Sequence, residues 1–214
     1  MVSIDILRWI YANPLTNIHF SVINTDFQMR KKITSSSGGQ YHIISRLLHW
    51  LIAIMILGML ALGFYMVDLP LSPDKLKLYS WHKWTGVSIF LLVLLRLAWR
   101  FRHRPPAMPA HFSPAVRIAA TAGHGVLYVL MLAIPLSGWL MSSAKGVQTV
   151  WFGVLPLPDL LPENEVLGDT LLAVHVNLNL IMLAAIAGHV LMALKHHFID
   201  GDDTLRRMSF ARRQ

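Results

Sequence analysis

Residues 169–198 read DTLLAVHVNLNLIMLAAIAGHVLMALKHHF. The run is too long for a strand and lacks strict alternation, so it reads as a helix. It exceeds the roughly 20 apolar residues that cross a bilayer. His175 and His189 lie 14 residues apart within it. That is nearly four turns, so the two imidazoles leave the helix on almost the same side, about 21 Å apart along its axis. Ionisable side chains at membrane depth are costly and face a bundle interior. One helix therefore presents one imidazole near each face of the membrane.

Three further stretches have the same character: about 45–67, 81–101 and 116–141. With 169–198 they predict an all-α, integral membrane four-helix bundle. Pro70, Pro73, Pro105, Pro106, Pro109 and Pro114 fall between the runs as breakers, and Pro135 inside the third predicts a kink. The composition agrees. Of 214 residues, 55% are hydrophobic and 14% charged, against about 25% charged in a soluble domain. Mean hydropathy is +0.51. These values exclude a disordered chain and an ordinary soluble enzyme. The absence of cysteine excludes disulfides, thiolate zinc sites, iron–sulfur clusters and covalent c-type haem. The 11 histidines are then the strong transition-metal ligands available.

Of the 19 Lys and Arg residues, all but Lys75, Lys77, Lys83 and Lys145 fall before the first span, around the second connection or after the fourth span. The positive-inside rule predicts both termini in the cytoplasm. The net charge of +8 then reflects topology and anionic lipid, and no nucleic-acid partner is needed. Residues 1–40 form a cytoplasmic extension expected to lack stable structure. Met29 starts a tail-like MRKKITSSSGG, so 1–28 fit a start-site artefact. The core domain is 41–208, and 209–214 are a tail.

Five histidines sit at membrane depth: His49, His82, His124, His175 and His189. Counted by depth, His49 matches His189 near the cytoplasmic face, and His82 matches His175 near the external face. Two imidazoles at one level on facing helices suit one haem iron. Two such pairs predict two non-covalent b-type haems stacked across the bilayer. With both axial positions filled, such irons suit electron transfer. His124 has no partner left at its level; it fits a propionate contact, a quinone pocket or a carbonyl bond, and it rivals His49 or His189 as a ligand. Zinc or copper transport would want carboxylates beside the histidines, and only Asp169 lies near a span end. His196 and His197 read as solvated residues at the negative end of the helix dipole. Trp50, Tyr65, Trp81, Trp84, Trp99 and Trp139 read as an interfacial belt. Gly58, Gly63, Gly86, Gly123, Gly125, Gly138 and Gly188 allow close approach of a helix or a flat ring.

The stretches YHIISRLLHW (41–50), WHKWTGVSIFLLVLLRLAWR (81–100), GHGVLYVLMLAIPLSGWLM (123–141) and KHHFIDGDDTLRRM (195–208), with His175 and His189, resemble the bacterial cytochrome b561 family of small di-haem inner-membrane proteins. The resemblance covers about 40–208. It implies ligands on the first, second and fourth helices, which here are His49, His82, His175 and His189. It also implies, as in superoxide oxidase members, an external small donor and ubiquinone as acceptor. Lys75, Lys77 and Lys83 with Trp81 would form a basic patch around His82 that attracts a small anion, or else contact propionates or head groups. Arg46, Arg96, Arg100 and Arg117 are candidates to pair with inner-haem propionates.

Three functions compete. The first is a di-haem quinone oxidoreductase with a small external donor. The second is a haem-bearing anchor of a larger dehydrogenase or hydrogenase. The third is a non-redox His-rich membrane protein. The external connection, residues 142–168, is small for docking a large subunit, which favours the first.

Overall fold

The computed structural model describes residues 39–210. The expectations for 1–38 and 211–214 lie outside the described residues. The chain divides into two compact units. The smaller is described only at Gly39 and at 107–111, which form no helix or strand. The larger, 40–106 and 112–214, contains all the elements that follow.

Four helices make this unit: α1 (Ile43–Val67), α2 (Pro73–Arg102), α3 (Pro114–Ala144) and α4 (Glu165–Phe198). A short hairpin, β1 (Val150–Trp151) and β2 (Leu155–Pro156), joins α3 to α4. Each helix is long and apolar enough to cross a membrane. The 34 residues of α4 span about 51 Å, well beyond a hydrocarbon core of about 30 Å. The fold class is as the hydropathy predicts. The boundaries differ where local capping decides them. Ser72 Oγ accepts from Lys75 N, Pro73 is the first helical residue and Asp74 lies in the first turn. α2 therefore starts eight residues before Trp81, and Pro73 opens a helix instead of separating two. Ser113 and Pro114 do the same for α3. α3 runs on through Pro135.

Close backbone packing runs α1–α2, α2–α3 and α3–α4. Ile52, Ile89 and fully buried Val93 form the small core, surrounded by Met55, Ile56, Tyr128 and Met131. Large apolar side chains such as Ile54, Val129 and Leu191 stay about two-thirds exposed, as a lipid-facing surface requires.

At the hairpin end of the bundle, the turn has positive φ at Phe152 (51°) and Gly153 (72°). Tryptophans tie it down. Trp84 Nε1 donates to Val150 O (2.6 Å), and Trp151 Nε1 to Trp84 O (3.2 Å). Trp139 Nε1 donates to Pro158 O (3.1 Å). Trp84 and Trp139 thus clamp the loop in addition to lying near span ends.

At the opposite end, where the described chain begins and ends, residues after α4 fold back onto α1. Tyr41 N donates to Arg207 O (3.2 Å), Trp50 Nε1 to Met208 O (2.9 Å) and Arg46 Nη1 to Ser209 O (2.7 Å). His196 is not the solvated residue expected from its place at a helix end. It is buried, pairs with Asp200 (2.8 Å) and Asp202 (3.3 Å), and stacks on Phe112. Asp200 reaches it from four residues on, and the sharp reversal at Gly201 (φ +67°) brings Asp202 back onto it.

Candidate functional site

α4 is capped by Asn164, whose side chain accepts from Leu167 N, and it runs unbroken past both of its interior histidines. His175 faces His82 of α2, with ring centroids 6.3 Å apart at 72°. His189 faces His49 of α1, with centroids 6.2 Å apart at 68°. The facing rings thus bridge α2–α4 and α1–α4, helix pairs that approach less closely than the sequential ones.

These separations can be tested against the chemistry. A metal–imidazole nitrogen bond of roughly 2.0–2.1 Å, with the nitrogen about 1.1 Å from its ring centre, puts two opposed imidazoles on one metal about 6.3 Å apart. Both pairs fit. The surroundings of the first pair fit as well. His175 Nδ1 lies 3.1 Å from Ile134 O and 3.0 Å from Ser137 Oγ, so that nitrogen is engaged and Nε2 is left to ligate. His82 Nδ1 is buried and has no hydrogen-bond partner among the described residues. Glycines replace bulk beside both rings. A Cβ on Gly138 would meet His175 Cε1 at 3.2 Å, and one on Gly63 would meet His82 Cε1 at 3.6 Å. A cavity of about 280 Å³ adjoins the pair, lined among others by Ile56, Gly86, Asn179 and Met182. A Cβ on Gly86 would project into open space.

The second pair has a third imidazole beside it. His124 Nδ1 donates to Ala120 O (2.6 Å), and its ring lies 5.5 Å from His189. It is therefore closer to His189 than His49 is, but too close for the opposed arrangement. Arg96 donates to Tyr128 Oη (3.1 Å) and to Ser45 O (3.2 Å), and Arg100 lies over the Tyr128 ring. Arg46 holds the C-terminal segment, and Arg117 Nε donates to Phe112 O (3.0 Å).

The basic patch lies along the first part of α2. Lys75 reaches the carbonyls of Val67 and Leu69 at the end of α1. Lys77 lies over the exposed Trp81 ring, 5.0 Å from its centre. Lys83 donates to Val147 O (3.1 Å) and also lines the cavity.

The family model of prokaryotic cytochrome b561 matches residues 40–211. The chain belongs to the prokaryotic cytochrome b561 family. It is 40% identical over 170 residues to cytochrome b561 homolog 2 of Escherichia coli (strain K12), covering 79% of this chain and 90% of that protein. It is 33% identical over 123 residues to probable superoxide oxidase CybB of Yersinia pestis, covering 58% and 69%. It is 29% identical over 168 residues to cytochrome b561 homolog 1 of E. coli, covering 75% and 92%. As a cytochrome b561 the chain is a multi-pass membrane protein of electron transfer, and its family implies b-type haem.

Three residues beside His175 in this cytochrome b561, Ser137, Ile134 and Asn179, escape a reading by depth alone. Asn179 Nδ2 donates to His175 O (2.8 Å) from a position inside the membrane. The available signal was polarity at depth: Ser137 and Asn179 interrupt apolar spans without facing lipid.

Proposed function

We propose that His82 with His175, and His49 with His189, would each hold one b-type haem. The protein then moves electrons across the membrane between a small donor at the hairpin face and ubiquinone. The observation that carries this reading is the pair of matched ring separations, 6.3 and 6.2 Å, set at two levels of one helix. Bound there, haem would supply reversible one-electron chemistry.

The protein's own groups do the rest. α4 fixes the spacing of the two centres. Ile134 O and Ser137 orient His175, and Gly63 and Gly138 keep both imidazoles of the hairpin-end pair clear of side chains. The excess of Arg and Lys at the end holding the first and last described residues supports cytoplasmic termini and an external hairpin. A superoxide donor is supported by the printed name of the Yersinia relative and by Lys77 and Lys83 on the His82 helix, whose charge would draw in a small anion. Two superoxide anions would each give one electron and leave as dioxygen, and one quinone would take both electrons and two protons.

The test is haem per chain, with dithionite-reduced minus oxidised spectra, on the wild type and four His→Ala variants. The wild type should carry two haems. His82→Ala and His175→Ala should each lose the same one, and His49→Ala and His189→Ala the other. Two haems retained in His82→Ala or His175→Ala would overturn the pairing. Rapid mixing with superoxide should reduce the wild-type haem, and added ubiquinone should reoxidise it.

A further inference from the structure

The two rings of the hairpin-end pair differ in what holds them. Ser137 is buried on α3, and its hydroxyl donates to Ile134 O at 2.8 Å. The same carbonyl lies 3.1 Å from His175 Nδ1, and Ser137 Oγ lies 3.0 Å from it. A carbonyl only accepts, so Nδ1 carries the proton and Nε2 carries the lone pair. The Ser137 proton is directed at Ile134 O, so its oxygen lone pairs face Nδ1–H. His175 therefore shares one N–H between two acceptors, and the hydroxyl's own donation makes its oxygen the better acceptor. Gly138 completes the seat, since a side chain there would press on the ring. His82 Nδ1, across the pair, has no such partner among the described residues.

We propose that Ser137 is a positioning residue that, through His175, sets the redox equilibrium of the hairpin-end haem. This rests on the reading of His175 as an axial ligand. A hydrogen-bonded Nδ1–H makes an imidazole a stronger donor to the metal and locks its orientation. A stronger donor favours ferric iron. The haem served by His175 is thereby held at a lower potential than an unsupported pair of histidines would give it, and the Ser137 hydroxyl adds its part to that of the Ile134 carbonyl.

The experiment uses the full chain with both haems in place. Midpoint potentials are measured by spectroelectrochemical titration, and low-spin ferric signals by electron paramagnetic resonance, for wild type, Ser137→Ala, Ser137→Thr and His175→Ala. Ser137→Ala should shift the ferric–ferrous equilibrium of one haem toward ferrous by about tenfold, a rise of about 59 mV, and move that haem's resonance signal. The other haem should not move. Ser137→Thr keeps the hydroxyl and should restore both values. If Ser137→Ala does not retain haem, Ser137→Cys, with a weakly accepting sulfur of similar size, should show the same upward shift. Unchanged potentials and signals in Ser137→Ala, in a protein whose His175→Ala variant has lost one haem, would overturn the positioning role and leave the ligand assignment standing. Two haems retained in His175→Ala would overturn the ligand assignment itself.

Discussion

Gly138→Ala adds one methyl group beside His175, and the geometry sets its effect. The new Cβ would stand 3.2 Å from Cε1 and 3.4 Å from Nδ1, so the ring would have to give by a few tenths of an ångström. It has little freedom to do so, because Nδ1 is held by Ile134 O and Ser137 Oγ. In an open helix, Gly→Ala would stabilise by about 1 kcal/mol. Overpacking at a tight site costs about 1–3 kcal/mol, so strain equals or exceeds the gain. Displacing an oriented ligand also weakens metal binding by about 10–100-fold, which is about 1.4–2.8 kcal/mol. Gly63→Ala is the control, because its Cβ would sit 3.6 Å from His82 Cε1, an ordinary contact. The assay is haem per chain on protein purified under limiting haem supply, with thermal unfolding in the same detergent. Gly138→Ala should fall from two haems toward one while Gly63→Ala keeps both. A Gly138→Ala protein with both haems, an unshifted spectrum and raised thermal stability would refute the argument.

Three other outcomes follow from contacts elsewhere. Lys195, bonded to both Asp200 oxygens (2.9 and 2.7 Å), holds that carboxyl below its ordinary range, and His196 adds to the effect. The folded value lies below the unfolded one, so this contribution is complete above the ordinary carboxylate value and is lost as pH falls through the folded one. Asp200→Asn should therefore show a thermal midpoint that depends less on pH below about 4 than the wild type's. Trp84→Phe removes the bond to Val150 O and should cost about 0.5–1.5 kcal/mol while hastening protease cleavage within 147–160. Trp50→Phe removes the bond to Met208 O and should increase hydrogen exchange of the C-terminal segment, leaving haem content unchanged.

The parts of the fold that were legible in the sequence are those that follow from distance along one helix. His175 and His189 are 14 residues apart in an apolar run; that spacing puts one imidazole at each level, and the depths of His49 and His82 in their own spans match them to it. Rotation of one helix about its axis relative to another is not written in hydropathy. That is why the sequence does not assign Ser137 and Gly138 to His175, and why it leaves open what His124 does beside the His49–His189 pair. Capping also outweighed hydropathy at helix starts. Ser72 and Pro73 extend α2 beyond its apolar stretch, so Lys75 and Lys77 became helical residues with partners of their own. The second carboxylate at His196 depends on a reversal at Gly201 that returns Asp202 to it, and periodicity carries no trace of such a turn.

The bonds from Tyr41, Arg46 and Trp50 to the carbonyls of 207–209 join the beginning of the first span to residues that follow the fourth. During synthesis, all four spans enter the bilayer before that closure is possible. The α1–α4 seam, which carries one of the imidazole pairs, is then fastened by contacts that need α4 to be complete first. A chain cut before residue 207 would keep all four spans and lose this latch between α1 and the segment that follows α4.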